Sequence, residues 1–319
     1  MSDNLSGPAL IGPWCAGIRQ IQGTSLEEGW GVSMEMRKLC PSPLSTYTGP
    51  AAEIRELVQQ AQQKVAEKNF ASATLLYQKA EAISPTDAMV QAWLADTLYW
   101  SGKYKEAFER YRHAIKLDPY CTTAWRYLAQ AQCQMGDPIA ACNSLGWALE
   151  ADPMDPGVWA SLQSFVGDGR EDVRWRPWPW PYVYEGKLNL PENRHQIDNL
   201  MSAIYVVRHH VALEKSPGVQ TLEGSLQRHR AAVEEAFGAA QQVGGTPGHF
   251  WTILRLAHTR GQLDAAIFLL GMEVDLFPFW QQWRGQHPGQ VAAFVRTTLL
   301  PQLLGARLEA YQERTTRQA

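Results

Sequence analysis

The chain has 319 residues, 45% of them hydrophobic and 19% charged. That is enough to bury a sizeable core or two packed units, and too apolar for a wholly disordered chain. A formal charge of −3, from 29 Lys+Arg against 32 Asp+Glu, argues against a general nucleic-acid binder, which needs a basic face to replace the counterions on phosphate.

Residues 1–50 hold no convincing long helix, with glycine at 7, 12, 17, 23, 29, 31 and 49 and proline at 8, 13, 41, 43 and 50. The segment still carries Leu10, Ile11, Trp14, Ile18, Ile21, Trp30, Val32, Met34 and Met36, more apolar surface than free tails bear. It is predicted to be an extended arm that docks on another surface, with Trp14 and Trp30 as candidate contacts and one capped turn at Ser25–Glu28.

Residues 51–167 repeat at a step of 34. The columns are Ala61, Ala95 and Ala129; Ala73, Ala107 and Ala141; Tyr77, Tyr111 and Leu145; Ala80, Ala114 and Ala148; and Pro85, Pro119 and Pro153. Small residues recur where two antiparallel helices approach closely, and large ones a turn away fill the gaps. Gly102 and Gly136 fall at the turn inside each helix pair, where a positive φ costs glycine little. Asp137 followed by Pro138 reads as a cap and first turn, and the repeated prolines end each pair.

This pattern resembles the tetratricopeptide-repeat (TPR) superfamily. The residues that carry the likeness are Ala61, Phe70, Ala73, Tyr77, Ala80 and Pro85 in the first copy. In the second they are Leu94, Ala95, Gly102, Tyr104, Ala107, Tyr111, Ala114 and Pro119, and in the third Trp125, Leu128, Ala129, Gly136, Ala141, Ala148 and Pro153. A fourth copy starts in register with Trp159 and Leu162, stops at Gly167, and reads as a capping helix. The resemblance implies an all-α, TPR-type helical-hairpin solenoid whose first helices line a concave groove. Carried over by register, that groove would be lined by Arg55 and Gln62; Met89, Asp96, Tyr99 and Trp100; and Arg126, Gln130 and Gln134. The lysines and asparagines with which some family members grip a chaperone's carboxylate tail are missing; Val58, Gln62, Trp93, Thr123 and Tyr127 stand there instead.

Residues 168–194 alternate Trp175, Trp178 and Trp180 with Pro177, Pro179 and Pro181, followed by Tyr182 and Tyr184. Proline pushes its preceding residue out of the helical region, so this linker should be extended, and its aromatics form a second candidate docking segment. Residues 195–319 return to helical periodicity as a C-terminal region. One stripe is Ile197, Leu200, Met201, Ile204, Val207 and Val211; another is Leu222, Leu226, Val233 and Phe237, ended by Gly244 and Gly245. Thr246 and Pro247 read as a cap and first turn. A degenerate TPR-like unit near 247–280 follows, with Phe250, Ile253, Gly261, Ala266, Leu270 and Pro278 at the internal spacing of the central copies. Two final helices, 291–300 and 302–312, should be broken by Pro301.

No motif in the chain carries chemistry: HExxH, Walker-type, GxSxG and DxDxDG patterns are all missing. His209 and His210 point about 100° apart on a helix and do not share a metal easily. His249 and His258 lie on different faces of one helix. Cys121, Cys133 and Cys142 read as small core residues. Five cysteines without a CxxC pair fit reduced thiols, with a Cys15–Cys40 disulfide conceivable only in an oxidising compartment. The longest apolar run, 265–270, falls far short of the ~20 residues that cross a bilayer, and residues 1–20 lack a signal layout, so the expected location is cytoplasmic. The expectation is therefore a non-catalytic adaptor or scaffold, without metal or cofactor, a subunit of a larger complex that binds other proteins. Two alternatives stay open: an assembly or secretion chaperone, and an enzyme with a site near His249, His258 and Glu273.

Overall fold

The computed structural model describes residues 49–166, 182–184, 187–189, 196–215, 221–271 and 276–303. The N-terminal arm with Trp14 and Trp30, the aromatics Trp175, Trp178 and Trp180, and the thiols Cys15 and Cys40 lie outside them. The described residues fall into two units, 49–166 in the first and those from 182 onward in the second.

The first unit is helical throughout: α1 (Arg55–Ala66), α2 (Phe70–Ile83), α3 (Ala88–Trp100), α4 (Tyr104–Leu117), α5 (Thr122–Gln134), α6 (Pro138–Ala151) and α7 (Pro156–Val166). Each helix packs on the next, and α3 also touches α5, as α5 touches α7. Short polar side chains start several of them by accepting first-turn amides. Asn69 Oδ1 accepts from Ser72 at 3.1 Å, Asp87 Oδ1 from Met89 at 2.9 Å, and Asp137 Oδ1 from Ala140 at 2.9 Å, with Pro138 in the first turn as the sequence implied.

Every alanine of the three repeating columns is at most 2% exposed, as are Tyr77, Tyr111 and Leu145. Alanine admits the neighbouring backbone; the ring or Leu beside it fills the remaining space. The hairpin turns close identically. Gly102 and Gly136 have φ of +79° and +82°, and the following amides reach back five residues, Lys103 to Leu98 and Asp137 to Gln132, each at 2.9 Å. In the first copy Lys68 occupies the same place at φ +58°, and Asn69 reaches Lys64 at 2.8 Å. Trp125 and Trp159, one register step apart, each donate Nε1–H to the carbonyl of the preceding copy's final proline, Pro119 and Pro153, at 2.8 and 2.7 Å.

The second copy has Gln91 where the later copies have tryptophan. Gln91 is fully buried and bridges α2 to α4: its Nε2 donates to Glu81 at 2.9 Å, and Arg110 donates to Gln91 Oε1 at 2.8 Å and to Glu81 at 2.5 Å. A buried amide survives there because both its ends are satisfied.

The second unit opens with a hairpin of two short strands, β1 (Tyr182–Tyr184) and β2 (Lys187–Asn189), paired antiparallel with Val183 opposite Leu188. The end of the predicted linker is thus extended, and also paired. Then come α8 (Gln196–Lys215), α9 (Leu222–Val243), α10 (His249–Thr259), α11 (Leu263–Leu270), a 3-10 turn at Phe277–Phe279, α12 (Trp280–Gln286) and α13 (Gln290–Phe294).

Three sequence expectations change here. The stripe on α8 is shifted: Val207 is 59% exposed, while Asp198, Ser202, Tyr205 and His209 are buried at helical spacing. An apolar count misplaces this face because polar side chains occupy it, among them Asp198 and Tyr205, which meet the Gly248 amide and His229. Thr246 does not cap α10. The helix starts at His249, and the Gly248 amide donates to Asp198 Oδ1 of α8 at 2.8 Å.

Pro301 does not break the last helix either. The helix widens into a π turn at Val295–Leu299, in which the Leu300 amide reaches Val295, and helical backbone continues to residue 303. The Thr297 carbonyl, which the missing Pro301 N–H would otherwise pair, accepts from the Arg260 guanidinium instead. The same Arg260 nitrogen reaches Thr298 Oγ1 at 2.9 Å.

The TPR-like spacing of the second unit does produce the hairpin turn of the first. Gly261 has φ +67°, the Gln262 amide reaches Ala257 at 2.7 Å, and Ala266 is fully buried. Its second helix is shorter than those of the central copies, eight residues against 14, and ends at a buried Gly271.

Candidate protein-interaction groove

The first helices of successive repeats, α1, α3 and α5, carry the residues expected to line a groove. Arg55 and Gln62 are exposed on α1. Met89, Asp96 and Trp100 on α3, and Arg126, Gln130 and Gln134 on α5, are half-buried. Tyr99 differs. It is 6% exposed, belongs to the core cluster of α3, α4 and α5, and meets Trp100 and Tyr104 edge-on at 5.0 and 5.3 Å. Its neighbour Trp100 keeps the accessible indole. The accessible wall therefore consists of two rows one helical turn apart, Gln62, Asp96 and Gln130 in one and Ala66, Trp100 and Gln134 in the other.

Asp96 is the electrostatic centre of this wall. Its Oδ1 accepts from the Tyr111 hydroxyl of α4 at 2.6 Å. Burial pushes the Asp96 carboxyl up to about 7; the Tyr111 hydrogen bond and the nearby Arg126 pull it down only in part. Burial likewise raises the Tyr111 hydroxyl, and the adjacent Asp96 charge raises it further. The Tyr111 ring stacks on Tyr127 at 6.3 Å, and the Arg126 guanidinium lies 4.5 Å above the Tyr127 ring. Arg126 also lies against the first turn of α7, where a Cβ on Gly157 would fall 1.9 Å from its Nη1; glycine leaves that space. Asp155 closes this corner by accepting from the amides of Gly157 and Val158 at 2.7 and 3.0 Å.

The sequence named Asp96 and Arg126 as lining residues but missed the Tyr111 contact. A usable signal was present: only in the second copy does an acid in the Gln62 column coincide with a tyrosine in the Tyr77 column.

The remaining candidates sort as follows. Tyr182 and Tyr184 sit in β1. Cys121 and Cys133 are buried and Cys142 half-buried, all as free thiols, and burial pushes Cys121 and Cys142 up to about 12. Cys121 Sγ lies 3.6 Å from Met89 Sδ. His249 and His258 are exposed near the two ends of α10, with His258 3.5 Å from Glu234; Glu273 lies outside the described residues. His210 is exposed, but His209 is buried and stacks on His229 of α9 at 4.1 Å, with the Tyr205 hydroxyl 2.5 Å from His229 Nδ1. Among the described residues no group of three His, Cys, Asp or Glu could hold a metal ion. A cavity of about 350 Å³ in the second unit is lined by Arg230, Asp264, Trp283 and His287 among others. Arg230 is committed there to Asp264, at 2.7 and 2.6 Å, and to Glu223 at 2.8 Å. Among the described residues no helix is long and apolar enough to cross a membrane.

Comparison with known proteins points to the same segment. Residues 88–131 match the family model described as tetratricopeptide repeat. Tetratricopeptide repeat protein 33 from Mus musculus is 25% identical over 121 residues, 38% of this chain and 42% of that protein. Its counterpart from Homo sapiens is 24% identical over 127 residues, 40% of this chain and 45% of that protein. The chain thus spans less than half the length of these curated relatives. Among solved structures, the TPR domain of Sgt2 from Aspergillus fumigatus is 25% identical, covering 36% of this chain and 80% of that one at a TM-score of 0.33. The family model marks residues 88–131 as similar to a tetratricopeptide repeat, and the 34-residue register and repeated turn closure carry the same likeness through the helices from α1 to α7.

Proposed function

We propose that this protein is a non-catalytic adaptor or scaffold in the cytoplasm, a subunit of a larger assembly, whose first unit holds a segment of a partner protein along α1, α3 and α5. Tetratricopeptide repeats and homologues of that class support a protein-interaction role in general. The observation that carries the proposal is the inner wall itself. Gln62, Asp96, Trp100, Gln130 and Gln134 stand exposed or half-buried in two rows on the first helices, while the alanine and tyrosine columns pack between the helices. Amides and an accessible indole are what an extended or helical peptide needs, apolar anchorage plus a few directional contacts. The arm with Trp14 and Trp30 and the segment with Trp175, Trp178 and Trp180 are proposed as further docking elements.

The test is affinity capture followed by cross-linking and mass spectrometry, with Trp100→Ala and Gln130→Ala as controls. Cross-links from a captured protein to α1, α3 and α5, and at least tenfold weaker capture by the Trp100 variant, support the proposal; about 1.4 kcal/mol is the corresponding loss. Capture that is equal for wild type and variants removes the groove from the binding site.

A further inference from the structure

One carboxylate dominates the wall of the groove. Asp96 is the only acidic residue in the two accessible rows, and it is flanked by the neutral amides of Gln62 and Gln130. Trp100 follows it by one helical turn on the same face of α3, which sets the two side chains beside each other. Tyr111 satisfies one Asp96 oxygen, and no lysine, arginine or histidine forms an ion pair with Asp96 among the described residues. Arg126, whose charge acts on Asp96 from nearby, does not pair with it directly: its guanidinium is stacked over Tyr127 and lodged against Gly157. The site therefore holds a half-buried acid that no cation contacts directly, next to an accessible indole face, with the Arg126 charge nearby offsetting it only in part.

We propose that the groove recognises its partner through one cationic side chain, lysine or arginine, that seats between the Asp96 carboxylate and the Trp100 indole. This rests on the groove being the binding site and adds the chemistry of the occupant. A cation there gains a charge-assisted hydrogen bond from the acid and a cation–π contact from the ring, both strengthened by exclusion of water. An anionic segment would meet the Asp96 charge, which Arg126 offsets only in part.

The proposal has a pH signature. The titratable and charged groups acting on Asp96 are Tyr77 from α2, Tyr111 from α4, Cys121 just before α5, and Arg126 and Tyr127 from α5, with Tyr99 of α3 acting through Tyr111. Of these, only Asp96 is placed near neutrality, at about 7. A cation needs the ionised acid, so binding releases a proton and affinity rises with pH. Between pH 6 and pH 8 the ionised fraction grows from about a tenth to about nine-tenths, so affinity should rise about tenfold.

The experiment uses the isotope-labelled full chain and three blocked pentapeptides that share flanking alanine and leucine and differ at the centre, arginine, glutamate or norleucine. Nuclear magnetic resonance titrations give dissociation constants at pH 6 and pH 8. The expected result is tightest binding of the arginine peptide, shifts confined to α3 and α5, a roughly tenfold gain at the higher pH, and loss of both preference and pH dependence in Asp96→Asn. If Asp96→Asn does not fold, Tyr111→Phe serves: it removes the donor that holds the acid down, so the midpoint should move to higher pH, and an unmoved midpoint counts against the proposal. Equal or tighter binding of the glutamate peptide, a pH-independent arginine peptide, or no arginine-dependent shifts overturns it. If Trp100→Ala weakens all three peptides alike, the groove remains the site and only the cation assignment falls; if Trp100→Ala changes none of them, the groove itself is refuted.

Discussion

The two units solve the same problem, holding helices together, with opposite vocabularies. The first repeats a few contacts: alanine against backbone, an aromatic ring or Leu a turn away, and a left-handed turn residue closing each hairpin. The second uses contacts that occur once. Phe268 packs 4.6 Å from Trp283 and 5.5 Å from Trp280, His209 stacks on His229, Arg230 clamps Asp264, and Arg260 takes over a carbonyl that Pro301 leaves idle. The difference shows where stability is concentrated. In a repeat it is spread over equivalent interfaces, as expected of a quasi-one-dimensional stack; in the second unit single large side chains carry it.

That contrast can be broken experimentally. Trp283→Ala removes the largest single contribution, a ring 2% exposed at the centre of an aromatic cluster, and should cost ~3–5 kcal/mol in urea unfolding followed by far-ultraviolet circular dichroism. A loss below ~1 kcal/mol would show that the second unit is as distributed as the first. Ala107→Phe overfills one repeating column and should cost ~1–3 kcal/mol. An unshifted melting curve would mean that the column is not a packing column. Lys68→Gly sharpens the comparison from the other side. It gives the first copy the residue that copies two and three carry at this left-handed position, and should raise stability by ~0.5–1 kcal/mol. A loss instead would show that the Lys68 side chain contributes more than its backbone strain costs.

Legibility in the sequence follows the same division. The columns at 61, 73, 77 and 80 and their later copies, the turns at Gly102 and Gly136, and the cap at Asp137 were all readable, because each follows a local rule, the columns stated three times and the glycine turn twice. Gly261 was readable by analogy to them. The buried face of α8 was not: Asp198, Tyr205 and His209 look like surface residues until Gly248 and His229 are brought to them from later helices. Pro301 was misread for the same reason, since the donor that lets the helix pass through it lies on Arg260, 41 positions earlier. In the groove the register placed Asp96, Trp100 and Gln130, but not the burial of Tyr99 or the hydroxyl that meets Asp96.

What the sequence determined by itself is the hairpin, its period and the side of each helix that packs, because those depend on backbone sterics and on side chains a few residues apart. The tertiary structure alone decided which polar groups are satisfied inside and what charge the groove presents. Those depend on which distant atoms share a low-dielectric space, and no local pattern encodes that proximity.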